Sequence, residues 1–320
     1  MTFGVISNAI FLLISGYFMV KKGSEINLIQ IAKKLLLQLG FATVLLTLVS
    51  NVVFHLDGAN HYYSLYSVMR FNYSSWYIGY YFLVILLGAL FLNRLLLKWS
   101  RQQYAVFLVV LFAIIESNFT SAILDGLSGG LRSVATGMFL YALGGYVRLY
   151  DPFQKIRTYA VILVPVVVAG LIALSSYNFT QSKLGYYYRY TPTAVYNQRY
   201  FTYDENSIVV LVLAICLFEL FKRIKMPQSK LINFLGNGTF MVYLIHDNEF
   251  FYSIWDRKDW VLELNGYIPR FLFELAKWAG ATFAVGILAY ALYLGLAKLY
   301  PTVKWLFVKK EKPAEETVQA

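Results

Sequence analysis

From Phe3 to Val20 the chain reads FGVISNAIFLLISGYFMV, an apolar run broken only by small or uncharged polar residues, and it stops at Lys21 and Lys22. Eight further runs of this kind follow, at 35–54, 76–97, 104–118, 133–149, 159–176, 207–221, 232–251 and 275–299. Crossing roughly 30 Å of hydrocarbon takes about 20 mostly apolar residues. The runs at 104–118 and 207–221 are short on that measure, so they extend into their flanks or cross only in part. The pattern predicts an all-α, polytopic transmembrane bundle of about nine spans. Residues 1–300 form the membrane domain, and residues 301–320 form a charged tail.

Composition agrees with the pattern. The chain is 59% hydrophobic, 18% aromatic and only 14% charged, too few charges to cover a soluble globule of 320 residues. The single cysteine, Cys216, lies in the apolar run SIVVLVLAICLF. It excludes an intramolecular disulfide and a cysteine-based metal cluster.

Charge supplies the orientation. Of the 28 basic residues, nineteen fall in the loops that share one side of the bundle, and nine are diluted over the long loops of the other side. Lysine- and arginine-rich short loops face the cytoplasm. The tail KKEKPAEETVQA is therefore expected inside and the N-terminus outside. The net charge of +11 is thus explained by topology and gives no reason to invoke nucleic acid. An even number of spans would place both ends inside, so the outward N-terminus raises the expectation that one more helix precedes residue 1.

Four stretches carry a resemblance. FLLISGYFMVKK, SSWYIGYYFLVILLGALFLN, GMFLYALGGYVRLY and FLGNGTFMVYLIHDN resemble, in order along the chain, signatures of the bacterial acyltransferase-3 family of integral membrane O-acyltransferases. The resemblance implies a multi-pass enzyme of the bacterial plasma membrane, with membrane lipids around it and no bound cofactor. Its implied work is to move an acyl group, most often acetyl, from cytoplasmic acyl-CoA to a hydroxyl of a surface glycan or its lipid-linked precursor. Members typically have ten helices, the first bearing an Arg and the His taken as catalytic base. That helix is not in this chain, so an inactive, truncated relative is a competing expectation. A transporter or flippase of glycan intermediates is another. Where the family has two arginines in its first cytoplasmic loop, this chain has Lys33 and Lys34, which bind phosphate as point charges rather than as planar forks.

Candidate chemistry follows from polar residues in apolar surroundings. His246 lies in MVYLIHDN, two-thirds to three-quarters of the way along the run that rises from Lys230, with Tyr243 one turn before it. Ionisable groups at such depth are costly and usually face a polar cavity. Attack of a hydroxyl on a thioester needs a base and an oxyanion donor, roles that fall to His246 and Tyr243. The alternative is a histidine hydrogen-bonded at the outer interface. Ser15 and Tyr17, with Lys33 and Lys34, are the expected donor site; a packing notch at Ser15–Gly16 explains the first equally well. Trp76, Tyr77 and Arg132 stand at positions where the family pattern has aromatic and basic residues, and are expected on the acceptor side. So are Tyr186, Tyr187 and Tyr188, in an external loop with eight tyrosines between Tyr177 and Tyr203. Tyrosine faces suit sugar rings and suit a bilayer's aromatic belt as well. No P-loop, HExxH or GxSxG pattern occurs in a usable context, and no metal site is expected.

The charge asymmetry yields a direct test. A tag placed after Ala320 should be shielded in intact cells, and one inserted near Tyr188 should be accessible to an external protease or thiol reagent. Finding both on one side would overturn the nine-span reading.

Overall fold

The structure, a computed structural model, describes residues 2–23, 25–49, 76–116, 129–181, 207–225, 227, 229–247 and 267–307. Every regular element among them is helical. The α-helices are α1 (Thr2–Met19), α2 (Leu28–Leu48), α3 (Trp76–Leu87), α4 (Asn93–Leu96), α5 (Arg101–Glu116), α6 (Gly129–Tyr150), α7 (Thr158–Gln181), α8 (Ile208–Arg223), α9 (Lys230–His246) and α10 (Ile268–Phe307). A π-helical turn, Gly88–Leu92, joins α3 to α4 in one rod. Among the described residues, four segments are long and apolar enough to cross a membrane: Leu28–Leu48, Tyr77–Leu96, Thr158–Ser175 and Ile268–Leu299.

Three boundaries differ from the hydropathy reading. α2 starts at Leu28 rather than near 35, because Asn27 Oδ1 accepts from the Gln30 N–H at 2.9 Å and satisfies an otherwise orphaned donor of the first turn. Lys33 and Lys34 therefore sit on a helix, not in a loop. α9 stops at His246, since Asp247 leaves helical geometry (φ −89°, ψ 66°). α10 starts at Ile268 and continues to Phe307, past the expected boundary at 300.

The described residues fall into two compact units. In the first, the Tyr77 hydroxyl reaches Asn8, Ser15 reaches Tyr81, and Asn93 reaches Met19, so α1 and the α3–α4 rod run parallel. α6 runs the same way, with Gly137 against Tyr80 and Tyr141 bonded to Asn93. α5 is antiparallel to α6: Tyr104 meets Ala142, and Phe112 lies beside Phe139. The closest approach is between α1 and α6. A Cβ on Gly16 would collide with the Tyr141 carbonyl, and one on Gly144 with the Leu13 carbonyl. Only glycine lets these backbones touch. In the second unit α9 and α10 are antiparallel, Val242 lying against Gly286 and Phe234 beside Tyr290, while Phe41 of α2 packs on Tyr293.

An ion cluster ties the C-terminal ends of α6 and α8 to the turn before α7. Lys222 Nζ donates to Asp151 Oδ1 at 2.5 Å and to Glu219 Oε1 at 2.6 Å. Arg223 lies 3.5 Å from Glu219 Oε2 and donates to the Phe153 and Ile156 carbonyls, each at 2.7 Å. Glu219 is buried, and its carboxylate is tolerated there because two cations face it. Asp151 adopts a positive φ of 39°, rare for a non-glycine residue; at the end of α6 it turns the chain and supplies a carboxylate at once. Burial works against the Lys222 charge. Its hydrogen bonds to Asp151 and Glu219 outweigh that and raise its pKa above the ordinary lysine value.

Two outcomes are expected. Gly16→Leu or Gly144→Leu should destabilise the detergent-solubilised protein by about 1–3 kcal/mol or more. Gly170→Ala, where no atom lies within 4 Å, should be neutral or stabilising by up to about 1 kcal/mol. Thermal unfolding checks both. Because the folded-state pKa of Lys222 is raised, its stabilisation is complete below the unfolded lysine value of about 10.4 and is lost as pH rises through the raised value. Lys222→Met should therefore lower Tm at pH 7, and the gap from the parent protein should narrow as pH climbs past that value.

Candidate functional site

The first unit carries a seam of polar side chains through apolar helices. The Ser15 hydroxyl donates within 2.8 Å to the Phe11 carbonyl and lies 3.2 Å from the Tyr81 hydroxyl. A turn further on, buried Asn93 donates to the Met19 carbonyl at 3.3 Å and accepts from the Tyr141 hydroxyl at 3.1 Å. Met19 is the N-cap residue of the 3₁₀ turn Val20–Lys22, and its carbonyl oxygen has a second lone pair to accept from Asn93. Gly88, in the π turn, leaves room for the Tyr141 ring that a Cβ would strike. Tyr104 closes the seam, donating to the Ala142 carbonyl at 2.7 Å.

Measured against this seam, the expected donor residues separate. Ser15 is buried and faces α3 through Tyr81. Tyr17, two residues on and hence on another side of the helix, lies against α6 and α8: Arg148 Nη1 donates to its hydroxyl at 3.1 Å, the guanidinium sits 4.9 Å from its ring centroid, and Phe218 meets it edge-on at 5.3 Å. Lys33 and Lys34 are exposed on the second turn of α2.

Among the expected acceptor residues, Tyr77 is buried and its hydroxyl donates to the Asn8 carbonyl at 3.0 Å, so that group serves helix packing. Trp76 opens α3. Arg132, near the start of α6, is half-buried, and its Nε is buried with no hydrogen-bond partner among the described residues. A desolvated guanidinium nitrogen in that condition is a strong demand for an acceptor. Tyr186, Tyr187 and Tyr188 lie outside the described residues.

In the second unit, α9 ends with Tyr243 and His246 on one face, their rings 6.2 Å apart at 83°. His246 Nδ1 lies 2.8 Å from the Val242 carbonyl. A carbonyl can only accept, so in the neutral ring the proton is on Nδ1 and the lone pair is on Nε2. That is the tautomer a general base needs. Glycine makes the geometry firm, since Gly286 of α10 lets the Val242 turn approach closely. His246 stands at the helix end rather than partway along it, which shortens the helix without changing the pairing with Tyr243.

Asn93, Tyr104, Tyr141 and the Glu219–Lys222–Arg223 group were not picked out as site residues. The signal for them is present: an asparagine and tyrosines inside apolar runs, and a glutamate in LFELFKR with basic residues three and four positions later.

No curated protein and no solved structure matches the chain. The family model described as an acyltransferase domain matches residues 1–300, the whole of the helical region up to the last turns of α10. That match agrees with the four ordered signatures and with the all-helical architecture, and by it the chain belongs to the acyltransferase-3 family of membrane acyltransferases.

Proposed function

We propose that this protein transfers an acyl group, acetyl in the simplest case, from cytoplasmic acyl-CoA to a hydroxyl of a cell-surface polysaccharide or its lipid-linked precursor. The observation that carries the reading is the family match across residues 1–300. A bundle of about nine crossings in the bacterial plasma membrane, N-terminus outside and C-terminus inside, accommodates the helix directions. α1, α3–α4 and α6 run one way and α5 runs against α6, as alternate spans must.

α9 starts at Lys230 on the proposed cytoplasmic side, and 16 residues of helical rise carry His246 about 24 Å from it. That depth lies in the outer half of a ~30 Å core, where an external hydroxyl is reached more easily than a cytoplasmic thioester. His246 Nε2 takes the acceptor hydroxyl proton as its oxygen attacks the acyl carbonyl. The Tyr243 hydroxyl donates to the oxyanion that forms. When the tetrahedral adduct collapses, the C–S bond breaks and the CoA thiolate leaves, taking up a proton. In the first unit, Arg132, whose Nε has no partner among the described residues, is the proposed acceptor contact. Tyr17, Lys33 and Lys34 remain the proposed contacts for the donor, and the tyrosine loop at 186–188 for the sugar.

Purified protein in lipid nanodiscs, given acyl-CoA and a hydroxyl acceptor, should release CoA thiol in proportion to acylated product. His246→Ala should lower kcat by about 10²–10⁴-fold, and Tyr243→Phe by roughly 10²-fold if its hydroxyl is the oxyanion donor. Acceptor movement across the bilayer without thiol release would favour a transporter. Thiol release that is unchanged by His246→Ala would remove His246 as the base.

A further inference from the structure

We infer that the slot between the ends of α1 and α8 is a binding site for one acyl chain of an anionic phospholipid, with Arg148 reading the phosphate. The slot holds about 250 Å³ and is walled by Ile10, Ile14 and Phe18 of α1 and by Phe218 and Phe221 of α8, with Tyr17 and Lys222 at its polar end. From Tyr17 back to Ile10 it runs about 10 Å along α1. Its volume is below the roughly 300–1,000 Å³ of pockets that enclose a whole small molecule. What fits is a flexible apolar chain whose head stays outside.

The charge at the polar end selects the kind of lipid. Lys222 is already committed to Asp151 and Glu219, and Arg223 to Glu219. Two carboxylates and two cations leave that cluster neutral. Arg148 is a cation in excess: it is exposed, it has no carboxylate partner among the described residues, and its contacts with Tyr17 hold it at the mouth of the slot. Its place beside the lysine-rich ends of α1 and α8 is headgroup depth, where basic groups between helices bind anionic lipid. An arginine presents several N–H donors to a phosphate. Tyr17 thereby has a second task, forming the floor under the guanidinium.

The inference needs only that these helix ends lie at a membrane surface. It stands or falls apart from acyl transfer, because no step of the test reads thiol release. Native mass spectrometry of the delipidated full chain should show one saturable adduct with palmitoyl-oleoyl phosphatidylglycerol. Phosphatidylcholine bearing the same chains should bind about fivefold more weakly, the value of one basic contact at a membrane surface. Arg148→Gln should abolish that preference and leave the weaker binding. Ile14→Trp, which fills the slot, should abolish both. Equal binding of the two lipids to the parent protein, or an unchanged preference in Arg148→Gln, would overturn the site.

A second measurement covers a misfolded variant. Phosphatidylglycerol with a photoreactive group in its chain should label the parent protein within 10–18 and 218–221, and unlabelled phosphatidylglycerol should compete at about a fifth of the concentration that phosphatidylcholine needs. Labelling spread evenly over the apolar helices, or a dimer that excludes the lipid and occupies the slot, would also overturn it.

Discussion

Helices in hydrocarbon gain little by burying apolar side chains against one another, because lipid tails are as apolar as leucine. What α1 and α6 have instead is backbone contact: Gly16 against the Tyr141 carbonyl and Gly144 against the Leu13 carbonyl. That approach brings the helices near enough for dispersion and for short polar side chains to act. It fixes the relative height of α1, α3 and α6, and the Ser15–Tyr81 and Tyr141–Asn93–Met19 bonds depend on that height. The π turn belongs to the same solution, since Gly88 vacates the volume that the Tyr141 ring fills.

This packing decides which polar residues are left for chemistry. Ser15 and Tyr77 are the kind of residue that reads as a site in a sequence, yet their hydroxyls are taken up by helix contacts. Arg132 differs, having a buried Nε that no described residue satisfies. His246 differs in another way: its bond to Val242 fixes the tautomer rather than consuming the basic nitrogen. In the proposed function, Nε2 is then the nitrogen that takes the proton.

At the opposite pole from these groups in chemical character, the Asp151–Glu219–Lys222–Arg223 cluster is structural. Arg223 holds two carbonyls of the 153–156 turn and Lys222 bridges two carboxylates, so the α6–α7 connection is pinned to α8. By neutralising itself, the cluster also leaves Arg148 as a cation beside the α1–α8 slot with no carboxylate partner among the described residues. Charge counted loop by loop assigns Arg148, Lys222 and Arg223 to the same basic side, and only their pairing distinguishes a clamp from a binding group.

The sequence by itself determined that the chain is a helical membrane protein and most helix positions, because hydropathy is a sum over neighbours in the chain and needs no tertiary information, and its four ordered signatures carried the family resemblance. It also held the start of α2: Asn27 followed by Gln30 is a helix-opening pattern, though hydropathy alone placed the helix seven residues late and left Lys33 and Lys34 in a loop. Tyr243 and His246 were legible as a pair because they lie one turn apart on one helix. What only the tertiary structure decided is the fate of each polar group. Whether Ser15 binds Tyr81 or a ligand, whether Lys222 is spent while Arg148 is not, and which nitrogen of His246 carries the proton all depend on atoms brought close by packing. In the first two cases those atoms lie tens of residues away in sequence, and helical periodicity cannot report which neighbour a side chain meets.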